Sequence, residues 1–245
     1  MSAALLRVLA PLLLRGSGLP SLQPVAVEPE AEESLHRIAD RLEAGDGEAV
    51  ESAPLAKVEL LRWLTERRDV LFHGSARSDI ETLKPIRLSR DSTEFGNQQA
   101  VYATDDPVWA IYFAILRRDA PFGTRNGSIA VAGSEVYPRW YSFSLLSPID
   151  PDARFGPGWL YVLPRGPFRR EPPLLGVFDT AQWVSIEPVR PLVRIDVAPT
   201  DFPFLDAVGP YFEREPVLFT ILRAAVRNRT GRGRANPPPA AVRRG

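Results

Sequence analysis

Few residue types in this sequence can do chemistry beyond carrying charge. There are two histidines, His36 and His73, 37 positions apart, and no cysteine. The missing thiols exclude a disulfide scaffold, a thiol enzyme, and Cys-ligated zinc or iron–sulfur centres. The histidine spacing leaves no paired-His metal motif, so no metal site is expected. His36 falls among charged helical neighbours. His73 follows the apolar run Val70-Leu71-Phe72 and precedes Gly74 and Ser75. Asp105-Asp106 could suggest acid–base work, but adjacent acids before Pro107 read as a helix N-cap. No Gly-rich dinucleotide fingerprint, GK[ST] phosphate loop or G-x-S-x-G elbow occurs, and no local signature supports a Ser–His–Asp triad.

The elements that must position these residues follow from periodicity. Leu35, Ile38, Ala39 and Leu42 form one apolar stripe, which predicts a helix over 32–42 that Gly45-Asp46-Gly47 ends. A second helix is predicted over 54–68, with Pro54 in its first turn and Leu55, Val58, Leu61 and Leu64 on one face. A short strand then enters His73. The segment 76–99 reads as a long polar loop, a length that is usually functional in a compact domain. Residues 100–103 read as a strand and 107–118 as a helix, with Trp109, Ala110, Phe113 and Ala114 inward. Strands are predicted at 128–132, 140–145, 160–163, 168–169, 182–187 and 193–197, and helices at 201–208 and 216–226. The order points to an α+β domain rather than a doubly wound parallel sheet. Proline, 25 of 245 residues, favours many short elements over a long-helix bundle.

Charge is balanced, 30 basic against 30 acidic residues, so no overall field draws the chain to nucleic acid. The layout is uneven. Residues 28–51 carry nine acids against Arg37 and Arg41, whereas no acid follows Glu215. Residues 228–245 are mostly Gly, Pro, Ala and Arg, with one Val, and read as a disordered basic tail, with nucleic-acid or membrane contact as its functional alternative. Near the N-terminus the uninterrupted apolar run 8–14 is 7 residues, far below the roughly 20 of a membrane span. No span is expected, and a cytoplasmic location is. The expected organisation is a flexible extension (1–30), with a helix packed on the domain as the alternative there, a helical lead (31–68), a principal domain (69–227) and the tail (228–245).

Three stretches carry a resemblance: VLFHGSARSDIETLKP, AVYATDDPVWAIYFA and AQWVSIEPV. Together they resemble the ADP-ribosyltransferase fold family, in its His–Tyr–Glu branch of diphtheria-toxin-like and poly(ADP-ribose) polymerase-like members. In that family one strand delivers His-Gly-[Thr/Ser]. A second, after a Phe-Gly loop, delivers Tyr before an Ala-containing helix, and a third delivers Glu followed by an aromatic. The matching residues here are His73-Gly74-Ser75, Phe95-Gly96 with Val101-Tyr102-Ala103, and Gln182-Trp183-Val184. The match covers roughly 70–197 and implies a split β-sandwich.

The resemblance implies NAD as a substrate, no metal, and an acceptor of unknown class: protein, nucleic acid or small molecule. Gly74 would pair with nicotinamide through its backbone, its lack of a side chain permitting close approach. His73 would bond a ribose hydroxyl, Ser75 would add a second ribose contact, and Tyr102 would offer a flat face to the nicotinamide ring. The departure is the third triad position, where aligning Trp183 leaves Gln182 in place of the acid. Glutamine can hold a hydroxyl but carries no charge. Glu187 lies five residues on, an odd offset that would face away on a regular strand. The favoured reading is a His–Tyr–Gln variant, with Glu187 in a shifted register as the alternative acid. Arg77, Lys84, Arg87 and Arg90 would flank the cleft. The expected function is mono-ADP-ribosyl transfer, toxin-like in the family's habit. The alternatives are an RNA 2′-phosphotransferase-like enzyme and a non-catalytic nucleotide-binding module that has lost its acid.

Overall fold

A computed structural model of the chain describes residues 3–88, 95–117, 123–133, 138–146 and 151–230. In chain order, helix α1 (Ala3–Gly16) and the short strand β1 (Ser21–Leu22) precede helices α2 (Pro29–Glu43) and α3 (Lys57–Arg67). Next come β2 (Val70–Ser75), β3 (Arg87–Leu88), β4 (Gln99–Thr104) and helix α4 (Pro107–Ile115). Then follow β5 (Thr124–Val131), β6 (Arg139–Leu146), the single turn α5 (Pro151–Arg154), β7 (Gly158–Pro164) and β8 (Arg169–Arg170). The chain closes with β9 (Phe178–Asp179), β10 (Gln182–Ser185), β11 (Val193–Val197), β12 (Gly209–Tyr211) and α6 (Val217–Arg229).

The strands form two sheets. The larger has the order β11-β7-β2-β4-β10-β8, antiparallel throughout, with β3 also paired to β4. The smaller runs β1-β6-β5-β9, with β12 alongside β6 in parallel. The class is therefore mixed α and β with largely antiparallel sheets.

The principal core takes Phe72, Val162 and Ile195 from the larger sheet and Tyr141, Phe143 and Leu145 from the smaller. The helices α2, α3 and α4 add Leu42, Leu64 and Ile111. Each such side chain contributes about 1.5–3 kcal/mol by leaving water. The opposite face of the larger sheet is also covered, by a cluster of Leu71, Val101, Ala103, Tyr161 and Leu163 under Leu83, Phe168 and Val189. Burial on both faces explains why Val70-Leu71-Phe72 is an unbroken apolar run instead of an alternating one.

The stripe of α2 is buried as its spacing predicts, and α3 buries Leu60 and Trp63 in addition to Val58, Leu61 and Leu64. Asp106 caps α4, its carboxylate accepting from the Val108 N–H at 3.1 Å. Two glycines seat α4 on the sheet. A Cβ on Gly74 would lie 1.9 Å from the Ala110 carbonyl oxygen, and one on Gly158 1.9 Å from that of Ala114.

Several expectations are corrected. In residues 1–30 the alternative of a packed helix replaces the flexible extension: they contain α1, whose Ala10 is buried against Val131 and Val177. The helix expected over 201–208 is instead two short 3-10 turns, Pro199–Asp201 and Leu205–Ala207, leading into β12. Phe202 and Phe204 there drive into the aromatic core beside Tyr112 and Phe143, a pull that overrides helical periodicity. The strand expected over 182–187 stops at Ser185. The helix α6 runs to Arg229, past the expected tail boundary, and residues 231–245 lie outside the described residues. Among the described residues no helix is long and apolar enough to cross a membrane.

Candidate functional site around the parted strands

The three motif strands are neighbours: β2 carries His73, β4 carries Tyr102 and β10 carries Gln182. The register aligns Phe72 with Thr104 and Thr104 with Gln182 in one row. Beyond that rung β2 and β4 part. Their ladder consists of Phe72–Thr104 alone, while β2 pairs with β7 along six residues, from Val70 to Ser75. Strict alternation from the shared rung would send His73 to the face opposite Tyr102 and Gln182. Where the strands part, the His73 ring spans the opening to the backbone of β4, and Nδ1 meets the Tyr102 carbonyl oxygen at 2.7 Å. A carbonyl only accepts, so Nδ1 carries the proton in this bond.

Tyr102 is half-buried, and its hydroxyl lies 2.7 Å from the Gly96 carbonyl and 2.5 Å from that of Gln98. The Phe-Gly turn is thus clamped to the tyrosine ring, which explains the value of that dipeptide just upstream of β4. Ser75 accepts from the Arg77 N–H at 3.1 Å, which leaves its hydroxyl proton to donate elsewhere. Gly74 departs from expectation. The space a side chain would take is occupied by the backbone of α4, so helix packing already requires glycine here.

Gln182 is 7% exposed. Its backbone is fixed, because its carbonyl accepts from Glu171 N–H at 2.8 Å. The preceding residue, Ala181, has φ 59°, a left-handed conformation that favours glycine, at the point where the chain passes from β9 in one sheet to β10 in the other.

Glu187 takes no part in this arrangement. It is exposed, two residues beyond the end of β10, in a turn where Ser185 Oγ accepts from its N–H at 3.1 Å. The alternation argument does not reach it, since it is off the strand. Of the basic residues expected at the rim, Arg77 is exposed and paired with Asp79 at 2.8 Å, and Lys84 is exposed. Arg90 and the Arg87 side chain lie outside the described residues.

Sequence reasoning missed a charged network next to Gln182. Arg139 of β6 and Arg170 of β8 both pair with Asp179 of β9, and Arg170 also reaches Asp105 at 3.0 Å. Burial alone would raise the Asp179 carboxyl, but the two guanidiniums overcome it and hold it below the ordinary carboxylate range. For Asp105 burial wins over Arg170 and Arg139, and the carboxyl is raised. Trp183 lies between the guanidiniums of Arg165 and Arg170, each 5.4 Å from its ring. Beside the network, Asp106 also accepts from Ser128 and, at 3.2 Å, from the Tyr141 hydroxyl. Burial and the Asp106 charge push that phenol well above its ordinary range, so it stays a donor. No local motif could reveal these contacts, because the partners are 9 to 40 or more residues apart.

A hollow of about 800 Å³ lies elsewhere, lined by Glu51, Lys57, Asp196 and Asp201 among others. Its one lysine is ringed by three carboxylates, Glu51 at 3.2 Å, Asp201 at 3.6 Å and Asp196 at 3.9 Å, and none of the motif residues borders it. Among the described residues no group of His, Asp and Glu is arranged to hold a metal ion. In comparisons with known proteins, no family model, curated protein or solved structure matches the chain.

Proposed function

We propose that the chain takes NAD as a substrate at the parted strands and transfers its ADP-ribosyl group to an acceptor. The observation that carries this reading is the convergence of the three motif strands. His73, Tyr102 and Gln182 come from adjacent strands of one sheet, and the ladder opens where the histidine begins. The residues present suit such a substrate. The His73 ring, held through Nδ1 by the Tyr102 carbonyl, stands at the opening where a ribose would be met. The Tyr102 ring, steadied through its hydroxyl, offers a face for a flat heterocycle. The buried Gln182 amide supplies one donor and one acceptor to a second hydroxyl. The backbone of Gly74, with α4 behind it, is the group that would meet a carboxamide. The chemistry is loss of nicotinamide from the ribose, and these residues contribute orientation and hydrogen bonding to it. The test is incubation with labelled NAD and a cell lysate, with nicotinamide release followed in parallel. Label transfer that His73→Ala abolishes is expected. Absence of both transfer and release from the wild type overturns transfer.

A second reading is favoured by one residue. Gln182 stands where a carboxylate would stabilise developing positive charge, and a neutral amide supports binding better than turnover. A nucleotide-binding module predicts NAD affinity by calorimetry with no nicotinamide release above buffer.

A further inference from the structure

The helices α1 and α6, far apart in sequence, cover the same face of the smaller sheet. On β5, Arg125 donates to Thr220 Oγ1 of α6 at 2.7 Å, while Val131 packs against Ala10 of α1. These two positions are six residues apart, an even offset, so both point to one face. The other face of β5 is turned to the principal core, since Asn126 and Ser128 sit opposite Phe143 and Tyr141. The C-terminal ends of the two helices meet, as a Cβ on Gly18 would lie 2.7 Å from the Ala225 carbonyl oxygen. The inward sides are Leu6, Ala10 and Leu14 on α1 and Thr220, Ala224 and Ala225 on α6.

The outward sides are apolar too. Leu5, Val8 and Leu12 of α1 and Leu218, Leu222 and Val226 of α6 recur at three- and four-residue spacings, and all are at least half exposed. Exposed apolar patches of this kind mark a docking surface. Charge identifies what would dock. The sequence has no acid before Glu28, where Arg7 and Arg15 lie, and none after Glu215, where Arg223, Arg227 and Arg229 of α6 are followed by Arg232, Arg234, Arg243 and Arg244. Arg223 is matched by Glu215 at 2.8 Å. Arg227 turns inward and donates to the Ala207 carbonyl, but neither helix holds an acid, so the two elements whose outer faces are apolar are net positive. Nucleic acid would engage the arginines but would gain nothing from the leucines. An anionic bilayer rewards both, taking the apolar faces into the acyl boundary and the arginines at the headgroups. We infer that α1 and α6 form one docking face for an anionic lipid surface. This proposal does not depend on the reading of the parted strands.

Vesicle sedimentation with the full chain tests it, using phosphatidylcholine alone and phosphatidylcholine containing about a quarter phosphatidylserine. Binding to the second, weaker by on the order of tenfold or more on the first, is expected. Leu218→Asp combined with Leu222→Asp, both at exposed positions, should reduce binding at least about tenfold while leaving the circular dichroism unchanged. No vesicle binding overturns the proposal. So does binding that the double variant leaves intact and salt alone abolishes, the behaviour of a charge-only surface. A dimer in solution that the double variant converts to monomer would assign the face to a second copy, or to a protein partner if neither vesicles nor self-association account for it.

Discussion

His73 donates from Nδ1 to the carbonyl oxygen of Tyr102 at 2.7 Å, where the backbone ladder between their strands has already ended. A side chain thus replaces a rung. His73→Ala should cost about 1 kcal/mol of stability for this half-buried bond, by denaturant midpoint. It should cost NAD binding at least about tenfold, by calorimetry, because the ribose contact proposed for the ring is lost with it. Affinity unchanged in a folded variant would remove His73 from the site.

Gln182 and Glu187 were the competing third residues, and their surroundings differ sharply. Gln182→Glu should raise nicotinamide release on the order of a hundredfold, comparable to one electrostatic donor in other enzymes. Glu187→Gln should leave release and binding unchanged. The opposite pattern in a single-turnover assay would make the turn residue the working acid.

Gly74→Ala places a methyl 1.9 Å from the Ala110 carbonyl oxygen and 2.7 Å from the Ala114 nitrogen. Both are backbone atoms of α4, so the helix must shift. A loss of about 1–3 kcal/mol in urea is expected, as for an overpacked core. Gly158→Ala should behave alike, since it meets the same helix.

Stability should respond to pH in two stages, read by urea denaturation across the acid range. Asp105 has a raised carboxyl when folded. The folded state therefore binds its proton more readily, and stability falls as pH rises from the ordinary aspartate value through the raised one. Asp179 has a depressed carboxyl, so its contribution is complete above the ordinary value and lost as pH falls through the depressed one. Asp105→Asn should remove the upper stage and raise stability at neutral pH. Asp179→Asn should remove the lower stage and cost about 1–3 kcal/mol, because Arg139 loses its direct ion pair and keeps only the field of Asp106 and Asp105.

Much of the scaffold was legible in the sequence where periodicity or capping spoke. The stripe of α2, the Asp106 cap of α4 and the bounds of β11 at Val193–Val197 needed only local patterns. What failed was set by tertiary contacts. The 201–208 segment lost its helix to the aromatic core around Phe202 and Phe204, and α1 gained a seat that only Val131 and Val177 supply. In the candidate site, the residue types at 73, 102 and 182 were readable. The parting of β2 from β4 was not, because register between distant strands leaves no trace in either one. The network of Arg139, Arg170 and Asp179 was invisible for the same reason.

The left-handed Ala181 gives Gln182 a particular mechanical position. The chain leaves the smaller sheet at Asp179 and joins the larger at Gln182, with two residues between. A span so short has no slack. Any sliding of one sheet over the other must therefore be transmitted to the backbone of Gln182, which makes that residue a gauge of the spacing between the layers.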